Sequence, residues 1–323
     1  MRASREAAFY SQRLLDTVGS TTLREYQCLT ASTPMPNANS AQNSGGQSED
    51  QERGGLVARP TVAVRRWVRL FKSADRWFNR GVRLATAIHE GFWLGCLSAD
   101  ELNVVTAAHY AQSLESTSAE GNLRGFFDWE RRALEKYFPA GSNVLVAGAG
   151  GGREVLALLR AGYSADGFEC NPALVEAGNA IFDQAGEARG VIFCPPDQVP
   201  SGARVYRGIV VGWTAYSHIP TRERRVEFLR ALCQRALPGS PILLSFFARD
   251  GNSRYDAVAF QVATWIRRLL RGRKEPAELG DHLNWSYSRW FTREEIESEL
   301  REAGIRLVDF GDISEGYAVG MIG

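Results

Sequence analysis

A glycine cluster and one glutamate form the stretch of this 323-residue chain best suited to chemistry. The glycines are Gly148, Gly150, Gly151 and Gly152. Glycine lets the backbone turn sharply and approach a ligand closely. Glu169 stands about 20 residues beyond Gly148, an interval at which a carboxylate reaches the hydroxyls of a ribose. The spacing therefore predicts a nucleotide-binding site.

The residues around this loop predict a strand, a turn, a helix and a second strand. The apolar run 143–147 has valine at alternate positions and ends at the first glycine, as a buried strand does. Apolar residues then recur at helical spacing as far as Gly162, and residues 165–168 form a predicted second strand that ends at Glu169. This order is typical of half of a nucleotide-binding α/β unit.

Two ligand classes use such a unit. A dinucleotide site has the spacing G-x-G-x-x-G, and Arg153 stands here at the position of the third glycine. The observed G-x-G-x-G spacing with the following acid resembles motif I and the acidic loop of class I S-adenosylmethionine (SAM) dependent methyltransferases. The resemblance implies that Gly148, Gly150 and Gly152 lie against the methionine part of SAM and that Glu169 holds the ribose. An NAD-dependent oxidoreductase is the alternative from another enzyme class.

One position departs from that family. Its members usually carry an acid two residues before the first glycine, where this chain has Val146. On the resemblance, backbone carbonyls or the carboxylate of Glu154 would hold the ammonium group of SAM. Glu154 could instead be a first-turn residue that interacts with the helix dipole, and the sequence favours this second interpretation.

Later elements extend the resemblance over residues 126–323. Strands alternate with helices, which predicts a mostly parallel sheet. A Pro-Gly turn before the apolar run 241–247, and a closing strand near 317–321, resemble the last third of the same family. The predicted fold class is α/β: a Rossmann-like, mostly parallel seven-stranded sheet with helices on both faces and an N-terminal helical cap.

Open α/β sheets bind ligands at the carboxyl ends of their strands, so the residues that follow each strand are candidates. In the family an acid after the third strand approaches adenine, a role that the resemblance gives to Asp197, although Asp197 could also be a turn residue after two prolines. The predicted cofactor-binding residues are Gly148, Ala149, Gly150, Gly152, Glu169, Cys170, Asn171, Asp197, Gln198 and Trp213.

His218 is the candidate catalytic residue. It follows the fourth predicted strand, and an imidazole with an ordinary pKa of about 6.5 suits a general base near neutral pH. It could equally cap a helix or line the pocket without titrating. An insertion at 249–290 would help to shape the acceptor pocket, although core packing is the alternative for each aromatic residue. The predicted substrate-binding residues are Tyr110, Trp129, Tyr216, Arg249, Arg254 and Tyr287.

The N-terminal part differs in composition. We predict a disordered or weakly ordered tail at 1–55, a helical cap at 56–125 and a SAM-binding methyltransferase domain at 126–323. The segment 61–83 carries seven Lys or Arg against one Asp, with aromatic residues interleaved. It would lie on an anionic membrane surface, or it would bury Trp67, Phe71 and Phe78 against the catalytic domain. The sequence favours burial.

Composition limits the partners, metal sites and cellular locations to be expected. A net charge of +1 gives no reason to expect nucleic acid as a partner. Five scattered cysteines favour neither a disulfide framework nor a zinc site, and no metal is expected. No apolar run approaches the roughly 20 residues that span a bilayer, so we expect a cytoplasmic protein. The predicted activity is methyl transfer from SAM to a small molecule, with secondary metabolites as one class. A non-catalytic SAM-fold partner-binding module is the further alternative, and the oligomeric state stays open.

Overall fold

The computed structural model describes residues 62–188, 190–251, 253–270, 275–311 and 316–323. The predicted tail at 1–55 therefore lies outside the described residues. Contacts divide the chain into two compact units, Met1–Asp75 and Arg76–Gly323. The first helix begins in the former and ends in the latter, and every other element belongs to the second unit. The predicted division into tail, cap and methyltransferase domain stays a prediction.

The second unit is built on one twisted sheet. Its strands are β1 (Asn143–Ala147), β2 (Ser164–Glu169), β3 (Val191–Phe193), β4 (Gly208–Val211), β5 (Pro241–Ala248), β6 (Asp281–Leu283), β7 (Tyr287–Phe291), β8 (Ile305–Gly311) and β9 (Gly316–Ile322). The order along the sheet is β3-β2-β1-β4-β5-β9-β8. The first five strands are parallel, and β9 runs antiparallel to both β5 and β8.

Helices cover both faces of this sheet. They are α1 (Val62–Cys96), α2 (Ala99–Ala111), α3 (Leu114–Thr117), α4 (Ala119–Leu123), α5 (Asp128–Tyr137), α6 (Arg153–Arg160), α7 (Pro172–Gln184), α8 (Arg222–Cys233), α9 (Arg254–Leu269) and α10 (Arg293–Glu302). Leu145 packs with residues of α8 and α10, whereas its neighbour Val146 packs with α5, α6 and α7. Because both faces of β1 are buried, the strand is apolar throughout.

The Rossmann-like α/β fold class is confirmed, and the sheet has two more strands than the seven predicted. The additional pair is the hairpin β6–β7, which lies in the predicted insertion at 249–290. Strand β7 pairs in parallel with the end of β5, through Phe247 with Trp290 and Ala248 with Phe291. A strand as short as β6 shows no alternation of apolar and polar residues, which is why periodicity does not reveal the hairpin.

Helix α2 lies across the carboxyl ends of the parallel strands. Its side chains and carbonyls reach residues that follow β2, β3 and β4, and also the start of β7. The contacts join Ala107 to Asn171, Asn103 to Asp197, Tyr110 to His218 and Thr106 to Tyr287. The helix before the sheet therefore covers the edge at which ligands bind in open α/β folds.

The predicted burial of Phe78 in α1 is wrong, because its side chain is 70% exposed. Trp67 and Phe71, in the unit Met1–Asp75, are 72% and 69% exposed. Close packing of α1 begins only near Ala87, beyond which a Cβ added at Gly91 would stand 2.4 Å from the carbonyl oxygen of Ala259 in α9. Small residues bring those two backbones together, and the bulky aromatic positions precede them.

Candidate functional site

The glycine loop after β1 leaves space at its tip. Gly148 and Gly150 have φ angles of +64° and +55°, a backbone region that favours glycine. A Cβ at Gly148 would stand 2.7 Å from the Cβ of Ala215, so this end of the loop is packed. Beside Gly150, no atom of the described part of the chain lies within 4 Å of such a Cβ. The loop is therefore anchored at its base and open at its tip.

Glu169 joins this loop to the end of β2. Its buried carboxylate accepts hydrogen bonds through Oε1 from the backbone N–H groups of Cys170 at 2.8 Å and Asn171 at 2.9 Å. Its Oε2 accepts from the N–H of Gly150 at 2.9 Å. A carboxylate oxygen has two lone pairs, so Oε2 can accept a further hydroxyl group while it holds the loop.

The residues that follow Glu169 have different surroundings. Cys170 is exposed, and its thiol donates weakly to Glu169. Asn171 is buried and caps α7 by accepting from the N–H of Ala173, while its amide donates to the carbonyl of Ala107 in α2 at 2.9 Å. Asn171 therefore positions the covering helix. Direct contact of either residue with a cofactor stays a prediction.

Asp197 connects two helices above the third strand. Its Oδ2 accepts from the amide of Asn103 in α2 and from Nη1 of Arg224 in α8, each at 3.0 Å. Its φ angle of +60° shows that it is also a turn residue, as the alternative interpretation held. Gln198 is exposed beside it. The structure thus assigns Asp197 a part in holding α2, and its adenine role stays a prediction.

A buried ionic cluster begins directly after the glycine loop. The Arg153 guanidinium donates to both carboxylate oxygens of Glu130, at 2.6 and 2.7 Å, and to Oε1 of Glu154 at 2.7 Å. The same Glu154 oxygen accepts from the backbone N–H of Trp213 at 2.9 Å. Glu154 is therefore more than a first-turn residue, because it joins the start of α6 to the end of β4.

Acid outnumbers base in this cluster. Two carboxylates share the single Arg153 guanidinium, and all three groups are buried. Burial raises the pKa of Glu130, and the neighbouring Glu154 charge also raises it, against the opposing effect of Arg153. Sequence reasoning missed the cluster, since it treated Arg153 only as the residue that breaks a dinucleotide motif. No local pattern shows that Glu130 would reach it.

Aromatic rings pack around the cluster. The Arg153 guanidinium carbon lies 4.3 Å from the centre of the Phe127 ring, and that ring lies 5.3 Å from Trp213. Trp129, a predicted substrate-binding residue, stacks on Tyr317 of β9 with 5.3 Å between ring centres. The Trp213 Nε1 atom is buried without a hydrogen-bond acceptor in the described part of the chain. Trp129 therefore packs against the sheet, and Trp213 stands at the end of β4.

His218 is paired with Tyr110, a residue 108 positions away. Its Nδ1 lies 2.7 Å from the carbonyl oxygen of Tyr287, so Nδ1 carries the proton and donates it. Nε2 then accepts from the Tyr110 hydroxyl at 2.8 Å. Burial lowers the pKa of His218 to about 4, opposed by the bond to Tyr287 and reinforced by the charge of His109. The imidazole is therefore neutral near pH 7.

Two predicted pocket residues instead belong to the core. Tyr216 is fully buried, and its hydroxyl donates to Oε2 of Glu299 at 2.6 Å. The Tyr287 ring is also buried, and its hydroxyl donates to Oδ1 of Asp281 at 2.9 Å. The 3-10 turn Ala215–His218 explains the first correction, because residues two apart on such a turn point in different directions. The carbonyl group of Tyr287 fixes the orientation of His218.

The two predicted substrate-binding arginines, Arg249 and Arg254, have different surroundings from each other. The Arg249 guanidinium donates to the carbonyls of Trp290, Gly251 and Leu279 and to the carboxylate of Glu295, at 2.8 to 3.2 Å. These bonds hold the β6–β7 hairpin against β5, and a role of Arg249 in substrate binding stays a prediction. Arg254 is exposed at the first position of α9, where its role in binding stays a prediction.

In the described ranges, no cluster of three His, Cys, Asp or Glu residues has the geometry to hold a metal ion. No helix among them combines the length and apolar character that crossing a membrane requires.

Comparison with protein families and with curated proteins found no match. Several solved structures are similar in fold. A SAM-dependent methyltransferase from Methanosarcina mazei has 15% identity and a TM-score of 0.49, over 61% of this chain and 98% of that chain. The CcbJ methyltransferase from Streptomyces caelestis has 13% identity and a TM-score of 0.48, over 68% and 98%. A SAM-bound amino pentose methyltransferase from Micromonospora echinaspora has 13% identity and a TM-score of 0.43, over 61% and 89%. The function proposed below rests on the contacts within this chain.

Proposed function

We propose that this protein is a SAM-dependent methyltransferase that acts on a small-molecule acceptor in the cytoplasm. The observation that carries the proposal is the contact between Glu169 and the N–H of Gly150 at the carboxyl ends of β1 and β2. It places a carboxylate beside a glycine loop that is open at its tip. Ligands bind at this edge in open α/β sheets.

The residues present fit a bound SAM molecule. The open tip of the loop at Gly150 permits close approach, and Oε2 of Glu169 has a lone pair for a ribose hydroxyl. The excess negative charge shared by Glu130 and Glu154 stands where α6 meets the end of β4, and it would attract the ammonium group. SAM supplies a methyl group already activated by a sulfonium centre, so alignment and exclusion of water are the main tasks of the protein.

The pair of Tyr110 and His218 would manage the acceptor's proton. The bond to the Tyr287 carbonyl keeps Nδ1 protonated and leaves the Nε2 lone pair directed at the Tyr110 hydroxyl. An acceptor hydroxyl loses its proton as it becomes methylated, and Tyr110 would take that proton while its own hydroxyl proton passes to Nε2 of His218. Helix α2 carries Tyr110 across the strand ends, so it would also exclude water from this position.

Two observations disfavour the NAD-dependent alternative. A dinucleotide-binding sheet has six strands in the order 3-2-1-4-5-6 in a mostly parallel arrangement, whereas β9 here inserts antiparallel between β5 and β8. The position of a third glycine is occupied by Arg153, whose buried side chain anchors α5 through Glu130. The chain thus uses that position for packing.

Calorimetric titration tests the proposal with SAM, its demethylated product and NAD as ligands. We expect SAM and its product to bind and NAD not to bind. Glu169→Gln should weaken SAM binding by about tenfold or more, because a charge-assisted acceptor is lost. Glu176→Gln, at an exposed position of α7, is the matched control and should change nothing. Equal SAM affinity for the two variants, or preferential binding of NAD, would refute the proposal.

The unfolding free energy of each variant should be measured alongside. Glu169 accepts three backbone hydrogen bonds, so its substitution is expected to lower stability as well as affinity. Titration at a temperature where both variants remain folded separates the two effects.

A further inference from the structure

Helix α1 presents a long apolar face that the rest of the unit does not cover. In the part of α1 that belongs to Arg76–Gly323, seven large apolar side chains are between 42% and 70% exposed. They are Trp77, Phe78, Val82, Leu84, Ile88, Phe92 and Trp93. The preceding segment of the helix carries Trp67 and Phe71, which are also exposed. Isolated surface apolar residues are ordinary, but a contiguous apolar face of this length marks an interaction surface.

Helical geometry shows that this face points away from α9. At 3.6 residues per turn, Phe78, Val82 and Phe92 fall on one side of α1. The buried residues Ala87 and Leu94 fall on the opposite side. That opposite side packs on α9, and the Arg267 guanidinium donates to the carbonyl of Leu94 at 2.9 Å. Within the described ranges, no element covers the apolar side of the helix.

The polar side of the same helix is strongly basic. Arg66, Arg69, Lys72, Arg76, Arg80 and Arg83 are exposed, and Asp75 is the acidic residue among positions 66–83. Beside α1, the end of α9 adds exposed Trp265 and Leu269 together with the exposed Arg268. Aromatic and basic residues therefore occur together on two neighbouring helices.

We propose that α1 docks this protein on an anionic phospholipid bilayer, with the apolar face in the headgroup region. A helix with Trp, Phe and Leu on one side and Lys and Arg on the other is the type that lies in the plane of a membrane interface. Anionic lipid complements the basic side. A second copy of the same helix would bring like charges together, so charge favours lipid as the occupant.

Vesicle co-sedimentation of the full chain tests this proposal. Vesicles of phosphatidylcholine containing about one third phosphatidylserine are compared with vesicles of phosphatidylcholine alone, at low and at physiological salt. We expect binding to the anionic vesicles to be at least about tenfold stronger, and to weaken as salt rises, because salt screens exposed charges.

Apolar variants separate insertion from simple charge attraction. Phe78→Ser together with Phe92→Ser should reduce partitioning by about tenfold or more, since each loses the burial of an aromatic ring. The matched control is Val104→Ser together with Ile192→Ser, at positions 68% and 57% exposed on other elements. It should bind like the unaltered chain.

Charge-reversal variants test the basic side of α1. Arg80→Glu together with Arg83→Glu should abolish the preference for anionic vesicles. Arg160→Glu together with Arg301→Glu changes the net charge equally at exposed positions on α6 and α10 and should leave that preference largely intact.

Three outcomes would overturn the proposal: equal partitioning into both kinds of vesicle, equal loss in the control variants, or absence of binding at low salt. Light scattering distinguishes a lipid surface from a second copy of the chain as the occupant of the apolar face. A dimer in solution that the two phenylalanine substitutions convert to a monomer, without vesicle binding, would assign the face to a second copy of the chain. None of these readouts depends on methyl transfer.

Discussion

Two buried arginines, Arg153 and Arg225, stand on opposite faces of the sheet. Each belongs to an ionic cluster, and the two clusters differ in their balance of positive and negative charge. Arg225 is completely buried between α8 and α10, and it donates to Glu299 at 2.8 and 3.0 Å and to Glu278 at 2.7 Å. Arg153 shares its guanidinium with two carboxylates at the mouth of the glycine loop.

The surroundings explain the difference. Further ion pairs continue the Arg225 cluster through Arg289, which contacts Glu278, Asp281 and Glu295 at 3.0 to 3.4 Å. Arg222 and Arg249 complete it by contacting Glu299 at 3.4 Å and Glu295 at 2.8 Å. Four arginines thus meet four carboxylates, so the cluster neutralises itself and holds the β6–β7 hairpin. The Arg153 cluster keeps an excess of acid beside the predicted cofactor site. Charge that is internally balanced indicates scaffold, and charge left in excess at an edge where ligands bind indicates function.

The largest expected effect comes from the balanced cluster. Arg225→Met should lower the unfolding free energy by about 3 to 5 kcal/mol, because it leaves buried carboxylates without their partner. Arg230→Met is the control: this half-exposed residue lies 3.5 Å from Glu302, and exposed pairs contribute about 1 kcal/mol or less. Urea denaturation measures both. A loss below about 1 kcal/mol for Arg225→Met would show that the cluster is not a scaffold.

The second largest effect is a pH dependence of the unfolding free energy that arises from His218. The pKa of His218 is lowered to about 4 in the folded protein, against about 6.5 in an unfolded chain. Between these values the unfolded chain binds the additional proton. The contribution to stability is therefore complete above pH 6.5, declines as pH falls and is lost below about pH 4. We expect a decline of about 1 to 3 kcal/mol.

His218→Gln supplies the reference for that measurement. The difference in unfolding free energy between the two proteins, followed from pH 7 to pH 4, isolates this histidine from the other titrating groups. Parallel curves would mean that the imidazole is not buried as a neutral group.

The third effect tests the excess charge directly. Glu154→Gln keeps an oxygen that can accept from the N–H of Trp213, and it removes the negative charge. Affinity for SAM should fall about tenfold, or about 1.4 kcal/mol. Affinity for 5′-methylthioadenosine, which lacks the ammonium group, should stay unchanged. An equal loss for both ligands would assign Glu154 a purely structural role.

The smallest effect is expected outside both clusters. Trp67→Ala should change the unfolding free energy by less than about 0.5 kcal/mol, since Trp67 is 72% exposed. Tyr206→Ala, at a buried aromatic position, is the contrast and should cost about 3 to 5 kcal/mol. Thermal or urea unfolding separates the two outcomes, and a large loss for Trp67→Ala would restore the interpretation of α1 as a packed cap helix.

The half of the sheet around the glycine loop could be predicted because its signals are local. The run Asn143–Ala147, the glycines and Glu169 lie within a single strand-turn-helix-strand unit, and their spacing reflects backbone geometry that acts over a few residues. The structure contains each of these elements and joins Gly150 to Glu169 by a hydrogen bond. The catalytic role of His218, proposed from its place after a strand, stays a prediction.

The acceptor side could not be predicted in the same way. Tyr216 and Tyr287 follow or belong to strands at the expected edge, yet both side chains turn into the core. Arg249 has the chemistry of a substrate ligand, but carbonyl groups and Glu295 occupy its donors. Residue type and approximate position do not reveal whether a donor is already used within the fold.

The sequence by itself therefore determined the fold class, the glycine loop and its acid, because periodicity and turn chemistry act between near neighbours. Tertiary structure alone decided which side chains share a site. The hydrogen bond between Tyr110 and His218 spans 108 positions, and that between Tyr287 and Thr106 spans 181. Such contacts depend on how α2 and the β6–β7 hairpin pack against the sheet, and packing is a property of the whole chain rather than of any segment.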